Sequence, residues 1–253
     1  MERTKGRARK RGAAKRRIDD ADLVDGERPA KRAASESVAT QRQTSVDDTI
    51  ALMDPALLAD HFAKCIRKAL PNSSAIELEE SYLPTKSFHN TTTFEQPRTG
   101  PNLPAFLEHF SKIDKAKLSA SEEKGSPHTI IVTSSGIRTA DLTRDLRGLN
   151  TEKSKVAKLI AKHMKLKDNI EYMQKTNVGI AVGTPMRIKD LIDADAIRTD
   201  RIQMVVVDGS YRDEKKRTIF EMDDLFRPLM VLLNLDRLRQ RYGAEGQADI
   251  LVF

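Results

Sequence analysis

Met204-Val205-Val206-Val207-Asp208-Gly209-Ser210-Tyr211 is the stretch on which the fold turns. Four consecutive apolar residues, three of them β-branched, read as a strand buried on both faces, the usual state in a parallel sheet. The strand stops at an acidic residue and a turn of small residues. In an open parallel sheet the carboxyl ends of the strands are where ligands are held.

Working outward from this strand, helical and strand patterns alternate. His128–Thr133, Val178–Val182, Gln203–Asp208 and Asp249–Phe253 read as strands. Helices are expected over Arg138–Leu149, Thr151–Met164, Asp168–Gln174, Pro185–Asp193 and Asp223–Leu233, with another to Arg241. Alternation of this kind predicts an α/β fold, a single parallel sheet of four to six strands flanked by helices. Upstream, Asp54-Pro55 supplies an N-cap and an N1 proline for a helix to Leu70, stopped by Pro71. Ser45 with Asp48 resembles a capping box. Residues 71–101 are rich in turn formers and read as irregular. A second upstream helix, Leu103–Lys115, would bury Leu103, Phe106, Leu107, Phe110 and Ile113. Ser119–Pro127 reads as a linker. Three parts are therefore expected: a tail over 1–45, a helical region over 46–127 that packs on or leads into the lobe, and the α/β lobe over 128–253.

Charge is concentrated at one end. Residues 1–17 hold nine Arg or Lys and one Glu, a net of +8, so a whole-chain charge of +7 leaves about −1 for the remainder. Residues 1–45 lack hydrophobic periodicity and are expected to be disordered, having too little apolar area to offset ordering entropy. Arg16-Arg17, ten residues, then Arg28-Pro29-Ala30-Lys31-Arg32 has the layout of a bipartite nuclear import signal. No apolar run is long enough to span a membrane and no signal peptide is present, so a soluble intracellular protein is expected, with no membrane partner. Cys65 stands alone, which excludes an intramolecular disulfide, and reads as a core thiol. The five histidines form no metal-spaced pair, and there is neither a Gly-x-Ser-x-Gly elbow nor a placed cysteine nucleophile.

The chemistry of the strand ends is next. A phosphate loop needs a glycine-rich turn followed by Lys and Ser or Thr, and no Gly-Lys dipeptide occurs here. Thr85-Lys86-Ser87 lacks a preceding glycine and follows Pro84, so it reads as an ordinary turn. Three strand-to-helix junctions are notable: Ser134-Ser135-Gly136-Ile137-Arg138, Gly183-Thr184-Pro185-Met186-Arg187, and Asp208-Gly209-Ser210-Tyr211. Together they resemble the Pro-Thr-Arg-Glu-Leu, Thr-Pro-Gly-Arg and Asp-Glu-Ala-Asp segments of the first RecA-like lobe of a DEAD-box RNA helicase. The last of them keeps the Asp and lacks the catalytic Glu, and Asp208 is expected to serve a structural turn. Gly136–Leu142 and Val207–Arg217 are closer still to the Cms family, and the resemblance covers roughly residues 50–253. It implies a nucleolar factor of early small-subunit pre-ribosomal particles, built on a helicase-like lobe without ATPase activity and without a cofactor.

Carried over residue by residue, the resemblance makes Ser134, Ser135, Gly136 and Arg138, then Gly183, Thr184 and Arg187, candidate grips for RNA phosphates. A helix N-terminus with a nearby hydroxyl or Arg is a sound phosphate site. The structural alternative is that Thr184-Pro185 is a plain helix start. Arg212, Lys215, Lys216 and Arg217 are further candidates, or a solvated charged loop. The expected partners are pre-rRNA and other assembly factors, with no small-molecule substrate. Two other function classes compete. One is an enzyme, a cryptic nucleotidase or methyltransferase, disfavoured because Ser134-Ser135-Gly136 offers one glycine. The other is a replication or chromatin adaptor whose basic tail serves DNA.

Overall fold

The structure, a computed structural model, describes residues 46–112, 118, 121, 123–162, 164–243 and 247–253. The expected tail with its import signal, Ser45 of the upstream capping box, Ile113 and His163 lie outside the described residues. Five strands form one parallel sheet in the order β2-β3-β1-β4-β5. They are β1 (Thr129–Val132), β2 (Lys155–Leu159), β3 (Val178–Gly183), β4 (Met204–Val207) and β5 (Asp249–Val252). The quoted strand is β4, between β1 and β5, with all four residues buried.

Alternate residues of each strand feed two apolar layers. On one face Ile130, Val132, Val205, Val207, Ile250 and Val252 meet α1 (Pro55–Ala69), α6 (Pro185–Asp193) and α7 (Asp223–Leu233). On the other, Ile131, Ile180, Val182, Val206 and Leu251 meet α3 (Leu103–Phe110) and α4 (Gly136–Asp145). The eight phenylalanines divide between the faces. Phe62 touches Phe88 and Phe220 at ring-centroid distances of 5.0 and 5.1 Å, with Phe226 beyond. Across the sheet Phe106 meets Phe94, Phe110 and Phe253 at 5.3, 4.9 and 5.0 Å.

Residues 46–112 pack into both layers. Phe88 bridges to Ile250, and the His89 amide donates to the Ile250 carbonyl, so this segment covers the open side of β5. Arg98 is buried between the rings of Phe94 and Phe106, 4.8 and 5.0 Å from their centroids, and donates to the Thr91 carbonyl. The opposite edge is different: among the described residues β2 pairs with β3 alone.

Four expectations are corrected. Thr151–Met164 is not a helix; its centre is β2. Val156, Leu159 and Ile160 satisfy a helical stripe, but Lys155 and Lys158 point to solvent while Val156, Ala157 and Leu159 are buried, as suits an edge strand with one neighbour. Residues 71–101 are not wholly irregular. Ser74 and Glu77 form a reciprocal capping box that starts α2 (Ala75–Ser81). The helix after Leu103 stops at Phe110, short of Lys115, with Ser111 in extended geometry as its C-cap. Likewise α4 tightens after Asp145 into a 3-10 turn over Leu146–Leu149. The expected linker is anchored where described, since the buried Ser121 hydroxyl donates to the carbonyls of Glu123 and Ser126. The remaining helices are α5 (Leu166–Lys175) and α8 (Asp236–Arg239).

Two outcomes follow from this packing. Phe62 is fully buried and central to its aromatic group, so Phe62→Ala should cost about 3–5 kcal/mol in urea denaturation, lowering the midpoint of the whole transition. His128, 5% exposed, has its pKa lowered by burial to about 4. The unfolded chain, with an ordinary histidine near 6.5, takes up the proton first as pH falls. Stability contributed by neutral His128 is therefore present above pH 6.5 and lost between about 6.5 and 4, on the order of 3 kcal/mol. Denaturation at pH 7 and pH 4.5 should show the loss, and His128→Gln should shrink it.

Candidate functional site

The site follows from topology. The chain leaves β1 toward the β2 side and leaves β4 toward the β5 side, which makes the crevice beyond the carboxyl ends of β1 and β4 the switch point of the sheet. Asp208 follows β4 directly and Arg138 lies in the first turn of α4, the helix after β1. They meet there. Arg138 donates from Nε to Asp208 Oδ2 at 2.8 Å and from Nη2 to Oδ1 at 3.0 Å, with both side chains buried. The ring of Tyr211 lies 4.5 Å from the guanidinium carbon. Burial by itself would lower the Arg138 pKa, and the Asp208 carboxylate more than offsets it, holding the guanidinium firmly charged. Burial also raises the Tyr211 phenol, so its ring faces the cation as a neutral partner.

Local sequence explains the approach of the two groups. Ser135 caps α4 by accepting from the Arg138 amide at 3.1 Å, aligning the first turn over the strand end. The Thr133 and Thr139 hydroxyls pair at 2.7 Å and tie β1 to α4. A Cβ on Gly209 would come within 2.7 Å of Val252 Cγ1 and 2.9 Å of Phe220 Cε2, so only glycine lets the chain turn there. A Cβ on Gly136 would meet Ile160 Cγ2 at 2.9 Å.

The other predicted residues fall in three places. Ser134 is buried at the end of β1, and its hydroxyl has no partner among the described residues. Gly183 ends β3 beside Val132, and Thr184 caps α6 without a side-chain hydrogen bond. Arg187 is buried and reaches Asn169 Oδ1 at 3.4 Å. The junctions after β1 and β3 are thus neighbours on one rim. The loop after β4 stands beside residue 47: Arg212 pairs with Asp47 and Arg217 with Asp213. Hydrogen bonds from Thr49 and then Arg212 hold the Asp47 carboxyl at about 2. Of the four loop cations only Lys215 and Lys216 are exposed and free of an ion pair among the described residues. The sequence does not show that Arg138 and Asp208 are partners, nor that Tyr211 covers them.

A nucleotide-binding lobe of this layout would place magnesium at Asp208. The residues do not fit that group, because both carboxylate oxygens already accept from a buried guanidinium. What the arrangement does is hold the ends of β1 and β4 together. Arg138→Met or Asp208→Asn alone should each cost about 3–5 kcal/mol by stranding the other group, with the double variant costing clearly less than their sum in a denaturation cycle. Arg138→Lys should rescue little, since an ammonium lacks the two-pronged geometry.

Comparison with known proteins gives a consistent picture. The CMS1 family model, described as "U3-containing 90S pre-ribosomal complex subunit", matches residues 1–253. The chain is 39% identical over 241 residues to "Protein CMS1" of Chaetomium thermophilum, covering 94% of this chain and 96% of that protein. It is 27% identical over 198 residues to "Protein CMSS1" of Homo sapiens, covering 77% and 68%. It is 28% identical over 184 residues to "Protein CMS1" of Saccharomyces cerevisiae, covering 67% of this chain and 57% of that protein.

Proposed function

This chain belongs to the CMS1 family of U3-containing 90S pre-ribosomal complex subunits, a family of ribosome biogenesis, and from that premise we propose that it serves the particle as a non-catalytic scaffold. The lobe is read as a helicase-like half that binds and positions without turning over nucleotide. The observation that carries this reading is the Arg138–Asp208 pair, which fills the switch-point crevice where an open α/β sheet holds its ligand. A buried bidentate pair is a poor place to insert a triphosphate, because opening it would strand two charges in a dry site.

Binding is assigned to the periphery. The junctions Ser134–Arg138 and Gly183–Arg187 lie side by side, and each starts a helix whose N-terminal amides suit phosphate oxygens. Arg138 would act there through α4 and Asp208, not as a free phosphate ligand, since its guanidinium is already engaged. Lys215 and Lys216 extend the rim, and the basic segment 1–17 adds salt-sensitive attraction without sequence preference. The partners on this reading are pre-rRNA and neighbouring assembly factors, and the place of action is the nucleolus.

Two measurements test the proposal. Purified full-length protein dialysed against labelled Mg-ATP or S-adenosylmethionine should show no saturable binding in the micromolar range; clear binding of either sinks the non-catalytic reading. Crosslinking in cells followed by sequencing of the attached nucleic acid should recover pre-rRNA. Recovery of chromosomal DNA in its place would move the protein to the chromatin-adaptor class.

A further inference from the structure

The two edges of the sheet are treated in opposite ways. The β5 edge is covered by Phe88 and His89, whereas β2 pairs on one side only among the described residues and carries charge of one sign. Residues 151–167 contain six lysines, at 153, 155, 158, 162, 165 and 167, against one acid, Glu152. All six are exposed, and none forms an ion pair among the described residues. Residues 1–45 hold 13 basic and 7 acidic residues, so residues 46–253 carry only +1 in all. A segment of +5 on a body of +1 is a concentrated field.

Lysine on an edge strand guards against pairing with other chains, and Lys155 and Lys158 meet that need by themselves. Lys162, Lys165 and Lys167 lie beyond the strand, where there is no ladder to protect. Lys165 is the N-cap of α5 and Lys167 is in its first turn, where the helix dipole disfavours cations. Folding does not account for these charges; an anion lying across the ridge does. The chemistry of the ridge also selects the class of anion. No exposed large apolar side chain lies among the described residues between 151 and 167, and protein interfaces are depleted in lysine and centred on apolar anchors. Compact ammonium groups at intervals suit phosphates.

We propose that the β2 edge and the amino end of α5 form a track for the phosphodiester backbone of RNA, one that runs up to the rim at the ends of β1 and β3, where Leu159 pairs with Gly183 and Arg187 reaches Asn169. The choice of RNA over DNA rests on membership of a pre-ribosomal complex family. Lys155 and Lys158 stand about 10 Å apart along the strand and on opposite faces of the sheet, so the track runs along the edge itself and does not grip one phosphate.

The test uses the full chain and a labelled single-stranded RNA of about 20 nucleotides. In K153Q/K158Q/K162Q/K165Q/K167Q the slope of log K against log salt should fall by about 3 to 4, near 0.7 for each phosphate no longer neutralised. Affinity near 0.15 M salt should drop about tenfold or more. Acetylation footprinting of the wild type should show these lysines protected by the RNA while Lys64 and Lys68 on α1 stay reactive. Unchanged slope and footprint, with RNA still bound, would overturn the track and leave the scaffold reading standing. No RNA binding by the wild type would overturn the RNA-binding reading itself. Protection by poly-glutamate but not by RNA would also overturn the track, in favour of an acidic protein partner.

Discussion

A buried carboxylate at the end of a central strand has to be answered by a buried cation, and most of the site's arrangement follows from that requirement. Asp208 has no exposure, so the first turn of α4 must bring Arg138 within reach of both its oxygens. That fixes the height of α4 on β1, the cap at Ser135 and the glycine at 209. It also requires a neutral ring over the guanidinium, which Tyr211 provides. The charge pair joins β1 to β4 at the point where the chain reverses its progress through the sheet. The same geometry commits both carboxylate oxygens of Asp208 to the guanidinium.

Much of this is legible in the sequence, and the gaps have physical causes. β4, β1 and β5 are readable because both faces are buried, which leaves unbroken runs of Val, Ile and Leu. α1 and α6 are readable because an N-cap residue, an N1 proline and an apolar stripe agree, and α7 because its apolar stripe is strong enough to outweigh Pro228 within it. β2 is hidden because an edge strand has one neighbour and can carry lysine, so its pattern also satisfies a helix. α2 is hidden because it buries none of its residues fully; the box between Ser74 and Glu77 is the signal that could have found it.

The site is legible as a set of positions but not as a set of partners. The junctions after β1 and β3 can be placed at one rim from strand order alone. Nothing in the chain announces that Arg138 is bound to a carboxylate 70 residues away, or Arg212 to Asp47. Cations that look available in one dimension are engaged in three. The lysines of the β2 edge are the converse: dispersed in sequence by apolar residues, they line one margin of the sheet only when the strand buries Val156 on one face and Ala157 and Leu159 on the other.

Covering the β5 edge with residues 46–112 has a consequence for how the molecule is made. The Thr91 hydroxyl meets the Val252 carbonyl across 161 residues of chain. At a synthesis rate of about 5–20 residues per second, that closure comes roughly ten to thirty seconds after Thr91 is polymerised. Through that interval Phe62, Phe88, Phe94 and Phe106 have emerged while the strand that completes their burial has not. A nascent chain in this condition offers an aromatic face to whatever surrounds the polypeptide exit, so shielding there is a demand that this topology places on its own translation.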